Sequence, residues 1–309
     1  MHIAVTGGSG RLGRSVVAGL REAGHHVTSI DRTESQRPGD ITADLTDPSR
    51  TAEIFEELQP EAVIHLAAIA VPFTAPERTI FDVNTGMGFS VLEAAVSAGT
   101  PRILVASSPT VLGYGRPGWH PGRLPLDERI EPQPFHAYAL SKVTLEKMVS
   151  TFALAHPQVR LAAFRPCYVI APEEWRGAPT QQGHTVEERL VKPELAAVSL
   201  FNYLDARDAA DFVLAWLEAE AAPSGACYFA AAVDALSITP PAQLLPKYLP
   251  EIADLSDQLS ADSSLFSIEA ARRDLGWAPT RSWRNQLPAE TLERLGAAAP
   301  VAAADRSTP

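Results

Sequence analysis

Up to about Pro172 the chain alternates short apolar runs with stretches in which apolar positions recur every three to four residues. The run His2-Ile3-Ala4-Val5 reads as a strand and ends in Thr6-Gly7-Gly8-Ser9-Gly10-Arg11-Leu12-Gly13. From Ser15 to Ala23, Val16, Val17 and Leu20 fall on one side of a helix, and Gly24 stands where a helix C-terminal glycine is expected. A second strand runs from His26 to Ile30 and stops at Asp31. The same patterns predict strands at Ala62–Ala67, Arg102–Ser107 and Val159–Phe164, and helices at Arg50–Leu58, Gly88–Ala98 and Ala137–Ala155. Strands and helices in alternation, joined by right-handed crossovers, build an α/β fold with a doubly wound parallel sheet.

Beyond Pro172 the pattern weakens. Glu173 to Glu194 is polar and rich in turn formers, and Pro240, Pro241, Pro246 and Pro250 interrupt any long element. Leu204 to Glu220 returns to the sheet layer, with Asp208 opening a helix that turns Phe212, Val213, Trp216 and Leu217 inward. The expected organisation is a sheet domain over 1–172 to which 201–232 returns, and a smaller C-terminal lobe built from 173–200 and 233–296. A disordered tail is expected over 297–309, which holds little that can pack.

The 309 residues suffice for a large core without disulfides or metals, which removes the small-scaffold classes. A net charge of −11 argues against a non-specific nucleic-acid binder, whose affinity comes from clustered Lys and Arg. Only two cysteines occur, Cys167 and Cys227, in apolar surroundings, so a reducing, cytoplasmic setting is expected. No apolar run reaches bilayer-spanning length, and the opening strand leaves no room for a signal peptide, so no membrane association is expected.

Gly7, Gly10 and Gly13 stand between a strand and a helix, the context in which such glycines bind a dinucleotide. They allow a tight turn, close approach of backbone to pyrophosphate and close helix packing, with the phosphates on the helix N-terminus. Asp31 lies 18 residues after Gly13, where an acid accepts bonds from the adenosine ribose and repels a 2′-phosphate. NAD is therefore favoured, while Arg11 and Arg32 leave NADP open. Asp44, in Ala43-Asp44-Leu45-Thr46, is placed to meet the adenine amino group or to open a helix.

Tyr138 and Lys142 share one helix face. A phenol titrates near 10, too high for a base at neutral pH, and a nearby ammonium lowers it. The pair can then move a proton to or from a substrate hydroxyl, and Ser108 can donate to the same oxygen.

Five motifs in order, Thr6 to Gly13, His65-Leu66-Ala67-Ala68, Asn84, Ser107 to Gly113 and Tyr138 to Lys142, resemble the extended short-chain dehydrogenase/reductase family, also called the NAD-dependent epimerase/dehydratase family. Arg165-Pro166, Asp205 to Ala210 and Leu275 to Pro279 resemble later family segments, so the likeness runs to about residue 280. It implies a Rossmann fold, Tyr138 as acid/base, Lys142 on the nicotinamide ribose, and Ser108 on the substrate oxygen. Gly7, Gly10, Arg11, Leu12 and Gly13 would hold the pyrophosphate. Asp31, Arg32, Asp44 and Leu45 would serve the adenosine end. Leu66, Ala67, Ala68 and Pro166 would line the groove, and Asn84 would support it. Pro109, Thr110, Tyr168 and Phe201 fall at substrate-contact positions, and no metal is implied.

Two departures stand out. Sugar-nucleotide members carry Asn at the position of Tyr168, and an Arg that meets the substrate pyrophosphate at the position of Phe201. Loss of that charge-assisted contact makes such a substrate less natural unless Arg176, Arg189 or Lys192 replaces it. The leading expectation is an NAD(P)-dependent oxidoreductase acting on a small-molecule carbonyl or secondary alcohol. The alternatives are a nucleotide-sugar epimerase or dehydratase with a recycled cofactor, and a non-enzymatic cofactor sensor.

His65 reads as structural, and His120, His136 and His184 as loop residues. Trp119, Phe135, Tyr168, Trp175 and Phe201 are candidates for an apolar pocket. The helix bearing Tyr138 is apolar at Leu140, Val143, Leu145, Met148, Val149 and Phe152, more than one face needs, which suggests a homodimer.

Overall fold

A computed structural model describes residues 1–35 and 37–297. Of the tail expected at 297–309 only Ala297 falls among them; the rest lies outside the described residues.

Strand β1 (His2–Thr6), helix α1 (Arg11–Glu22) and strand β2 (His26–Asp31) open the chain. They are followed by β3 (Ile41–Thr42), α2 (Pro48–Leu58), β4 (Ala62–His65), α3 (Glu77–Ser97), β5 (Arg102–Ala106), α4 (Ala137–Ala155) and β6 (Arg160–Pro166). Next come β7 (Val169–Ile170), α5 (Val186–Val191), α6 (Pro193–Ala197), β8 (Leu204–Asp205), α7 (Ala206–Glu218) and β9 (Ala226–Ala230). Seven strands form one parallel sheet in the order β3-β2-β1-β4-β5-β6-β9, and β7 pairs with β8 in a separate parallel ribbon. Strand order reverses between β1 and β4, which opens a crevice at the carboxyl ends of the strands.

The central strands are apolar on both faces because both are covered by helices. Ile3 and Val5 of β1 point into the core beneath α1 and α7, while Ala4 faces the core shared with α2, α3 and α4. Gly19 brings α1 against α7: a methyl there would stand 2.8 Å from Ala210 Cβ. Leu244, Leu245, Phe266 and Trp277 join the α1/α7 core, whereas Trp175, Tyr203, Trp283 and Leu292 form a separate smaller cluster.

The helix over 137–155 matches the pattern, but α3 begins at Glu77 rather than at Gly88. Its first half holds Thr79, Asn84, Thr85 and Gly86, poor helix formers stabilised by packing rather than propensity. Helix α1 likewise starts earlier than expected, directly at the glycine turn. Strand β9 has no alternating pattern and stands out only as an added edge. Helix α7 opens at Ala206 with Asp208 in its first turn, and Asp205 caps it, accepting from Arg207 N–H. Asp208 is buried and accepts from the backbone of Thr280 and Arg281 and from the Arg281 guanidinium, which fastens the C-terminal segment to α7. No described helix is long and apolar enough to cross a membrane.

Candidate active site

The crevice is a groove of about 750 Å³ that runs from the glycine turn past Asp31 and Asp44 on one side to Tyr138, Tyr168 and Asn202 on the other. Its floor is the turn between β1 and α1. Gly7 takes φ +72°, and a methyl on it would stand 2.6 Å from Ala67 N. A methyl on Gly13 would overlap the Gly7 carbonyl oxygen and come within 2.8 Å of Gly8 Cα. Both positions therefore exclude a side chain, and the turn closes on its own backbone. No side chain caps the first turn of α1, so its N–H groups are left to an anion in the groove.

Asp31 closes the end of β2. One carboxylate oxygen accepts from Ser9 N–H at 3.0 Å and the other from Thr33 N–H at 3.0 Å, so the side chain is fixed against the glycine turn with lone pairs still free. Arg32 lies beside it on the groove wall. Arg11 also lines the groove, and its guanidinium meets the buried Glu174. Asp44 caps no helix, since that is the role of Asp47. It accepts from the N–H and hydroxyl of Thr46, which holds its carboxyl below the usual range. Leu12, Leu45, Leu66, Ala67, Ala68 and Pro166 also line the groove.

Asn84 does not line it. Its amide oxygen accepts from Ile69 N–H at 2.8 Å while its nitrogen donates to Ile69 O and to Ser141 Oγ, so it clamps the 67–70 loop to α4 from behind the wall. His65 is a similar brace, with Nδ1 2.7 Å from Thr6 Oγ1. Burial and the nearby Lys142 charge lower its pKa to about 3, so it stays neutral.

Ser108 follows β5 by two residues and caps the short turn Pro109–Leu112, accepting from Thr110 N–H. Pro109 and Thr110 line the groove with it. Tyr138 and Lys142 project from the first turns of α4, which His136 caps by accepting from Ala139 N–H. The Lys142 ammonium donates to Ala106 O at 2.8 Å and lies 5.8 Å from the centre of the Tyr138 ring. Burial lowers its pKa to about 8, with the Glu146 charge opposing the drop. Burial raises the Tyr138 phenol to about 12 against a pull downward from the Ser108 hydroxyl.

A residue the sequence reading passed over sets the helix in place. Glu146, one turn beyond Lys142, binds Arg165 through both carboxylate oxygens at 2.8 Å and accepts from Ser107 Oγ, tying α4 to β5 and β6. Its spacing from Lys142 on the same face was the available signal.

At the other end, Tyr168 and Phe135 line the groove as expected, but Phe201 does not. It is fully buried in the main core at φ +55°, and its neighbour Asn202 reaches the groove instead. Trp175 is also internal, donating to Asp205, while Trp119 lines a second cavity of about 370 Å³. His120 sits outside the groove against Asp254, whereas His136 lines it. Among the described residues no cluster of His, Cys, Asp and Glu is arranged to hold a metal.

The model of the NAD dependent epimerase/dehydratase family matches residues 3–229. A UDP-glucose 4-epimerase of Yersinia enterocolitica is 29% identical over 182 residues, which are 53% of this chain and 52% of that protein. An L-arabinose 1-dehydrogenase (NAD(P)(+)) of Haloferax volcanii is 32% identical over 162 residues, 50% of this chain and 62% of that protein. The chain thus spans roughly half to three fifths of the length of these relatives. In fold it is similar to a short-chain dehydrogenase/reductase superfamily protein from Agrobacterium tumefaciens solved with bound NAD, at a TM-score of 0.70 and 23% identity over 95% of this chain and 97% of that one.

Proposed function

The chain belongs to the NAD dependent epimerase/dehydratase family, and from that premise we propose that it is an NAD-dependent oxidoreductase acting on a carbonyl or secondary alcohol, with Tyr138 as the proton-transferring group. The observation that carries this reading is the convergence of Ser108, Tyr138 and Lys142 on the wall of a groove that begins at the glycine turn.

The glycine turn and the uncapped first turn of α1 fit a pyrophosphate, and the fixed carboxylate of Asp31 fits the two hydroxyls of an adenosine ribose. Asp44 and Leu45 would meet the adenine end and Lys142 the nicotinamide ribose. Asp31, with lone pairs free for ribose hydroxyls, favours NAD, while Arg32 on the same wall is the group that would meet a 2′-phosphate. Bound NAD supplies the redox chemistry at its nicotinamide ring.

The protein supplies position and a proton. A phenol raised to about 12 keeps its proton at neutral pH, so Tyr138 stands ready to protonate a carbonyl oxygen held by Ser108. In the reverse direction Tyr138 must first lose that proton, which requires cationic charge close to its oxygen. The segments 173–200 and 233–296 would supply the substrate side. Phe201, buried where sugar-nucleotide members carry an Arg, supports net oxidation or reduction of a substrate smaller than a nucleotide sugar.

Tyr138→Phe tests the reading. The variant should bind NADH as the wild type does, more tightly than NADPH, and lose turnover by about 100-fold or more. Full activity in Tyr138→Phe would sink the proposal. Turnover without net change in NADH absorbance would place the chain instead with the epimerases or dehydratases that recycle their cofactor.

A further inference from the structure

Arg189, on α5, is fully buried. Its two terminal nitrogens donate to Gln182 Oε1 at 2.6 Å and to Ser199 Oγ at 3.1 Å, and its guanidinium lies 4.1 Å from the centre of the Tyr168 ring. Among the described residues no carboxylate pairs with it. Arg165, the other deeply buried arginine, has the bidentate Glu146. Ions are costly to remove from water, so a buried charge is ordinarily matched by an opposite one. At Arg189 the described residues do not supply the match.

The groups between Arg189 and the groove are oriented as donors. Gln182 gives its oxygen to Arg189, which leaves its Nε2 as the free end. Asn202 gives its oxygen to Tyr168 N–H at 2.8 Å, and its Nδ2, on a residue only 1% exposed, makes no hydrogen bond of good geometry and lies beside the Tyr114 hydroxyl of the same groove wall. The Tyr168 hydroxyl is likewise buried without a partner. Gln182, Tyr168, Ser199 and Asn202 all line the groove. The Ser199 hydroxyl is spent on Ala196 O, and the acids Asp31 and Asp44 line the opposite, glycine-turn side. This end therefore presents hydrogen-bond donors backed by an unmatched positive charge.

We propose that it is a receptor for a compact anionic group, a carboxylate or a phosphate, carried by the substrate: Gln182, Asn202 and Tyr168 donate to it and Arg189 supplies the balancing charge behind them. The proposal deepens the oxidoreductase reading and rests on it for the assignment of this end of the groove to substrate. The charge absent from position 201 is thereby provided from another element, in a form suited to one small anion.

The test is a calorimetric titration of the full-length, NADH-loaded protein with inorganic phosphate and, separately, with malonate, at constant ionic strength. One of the two should bind saturably, and which one does separates phosphate from carboxylate as the recognised group. Arg189→Met should weaken that binding by about tenfold or more while NADH affinity is kept. Gln182→Glu, at an exposed loop residue, places a carboxylate beside Arg189; it should abolish anion binding and raise the thermal midpoint, and it decides the matter alone if Arg189→Met fails to fold. Absence of saturable binding of both anions to the wild type, or undiminished binding in Gln182→Glu, overturns the proposal. Failure of the wild type to bind NADH would refute the oxidoreductase reading instead, and the same titrations without NADH would still decide whether the receptor exists.

Discussion

Lys142 gives the sharpest quantitative test, because its charge is kept where burial opposes it. The side chain is 3% exposed, its ammonium donates to Ala106 O, and burial takes its pKa from 10.5 to about 8. That drop corresponds to about 3 kcal/mol of differential stabilisation between the two protonation states. The folded pKa is depressed, so between about pH 8 and the unfolded value the unfolded chain binds more protons than the folded one, and stability rises with pH across that window. Above the unfolded pKa the full contribution is present; it is lost as pH falls to about 8. Lys142→Met keeps the length of the side chain and removes the charge. It also strips the Ala106 carbonyl of its donor, at a cost of about 1–3 kcal/mol that does not depend on pH. The absolute stability of the variant thus mixes two opposing effects, whereas the pH dependence of the difference isolates one. Urea unfolding of the cofactor-free protein should show wild type gaining about 3 kcal/mol on Lys142→Met between about pH 7.5 and about pH 10.5, with NADH binding weakened in the variant. Stability curves that run parallel across that range would refute the claim that the ammonium is held against a desolvation cost.

Gly13→Ala places its methyl against the Gly7 carbonyl and Gly8 Cα, backbone that cannot swing aside; it should weaken NADH binding by about tenfold or more and lower stability by about 1–3 kcal/mol, while Gly24→Ala, strained at φ +83° but with nothing within 4 Å, should lower stability and leave NADH affinity unchanged. Fluorescence titration with NADH checks both, and equal affinities for the two variants would contradict the closed-turn account. On the outer face of α3 and α4, Phe89 is 44% and Leu140 45% exposed, while Leu145 and Val149 are buried beneath them. This face should pair two copies of the chain, so light scattering should find a dimer that Leu140→Lys shifts toward monomer; a monomeric wild type at working concentration would remove the idea.

The parallel sheet was legible because its strands are short, apolar on both faces and punctuated by glycines whose positions the backbone dictates. Gly7, Gly13 and Asp31 could be placed from spacing because all three belong to one strand, turn, helix and strand unit, although Gly7 also closes on Ala67 of another strand's loop. Tyr138 and Lys142 were readable for the same reason, being one helical turn apart. What spacing could not convey was the state of these groups. The raised phenol and lowered ammonium come from burial, to which segments distant in sequence contribute: Lys142 donates to Ala106 O at the end of β5. Phe201 shows the limit on the substrate side: an aromatic in a weakly patterned segment is equally compatible with a wall or a core, and only the left-handed turn at Leu200 and Phe201 decides for the core and turns Asn202 to the groove. Arg189 was visible as a charge, but its lack of a partner is a property of three elements together.

Electrostatics tie the two ends of the groove into one scheme. With a net charge of −11 the long-range field of the protein repels anions, so binding of an anionic cofactor, and of the anionic substrate proposed here, must rest on features that act at contact distance. Two of the three are built with little solvent around them. The first turn of α1 offers N–H groups that no side chain caps, Lys142 is held at 3% exposure, and Arg189 has no exposure at all. A buried cation interacts with a ligand through a lower effective dielectric than a surface one, and salt screens it less. The same burial makes each site costly while empty, which is the physical reason to expect ligand binding to stabilise the fold. Arg32, the exposed cation of the groove wall, stands at the adenosine end beside Asp31 and Asp44, so the cations at the reacting and substrate ends are those the fold has desolvated.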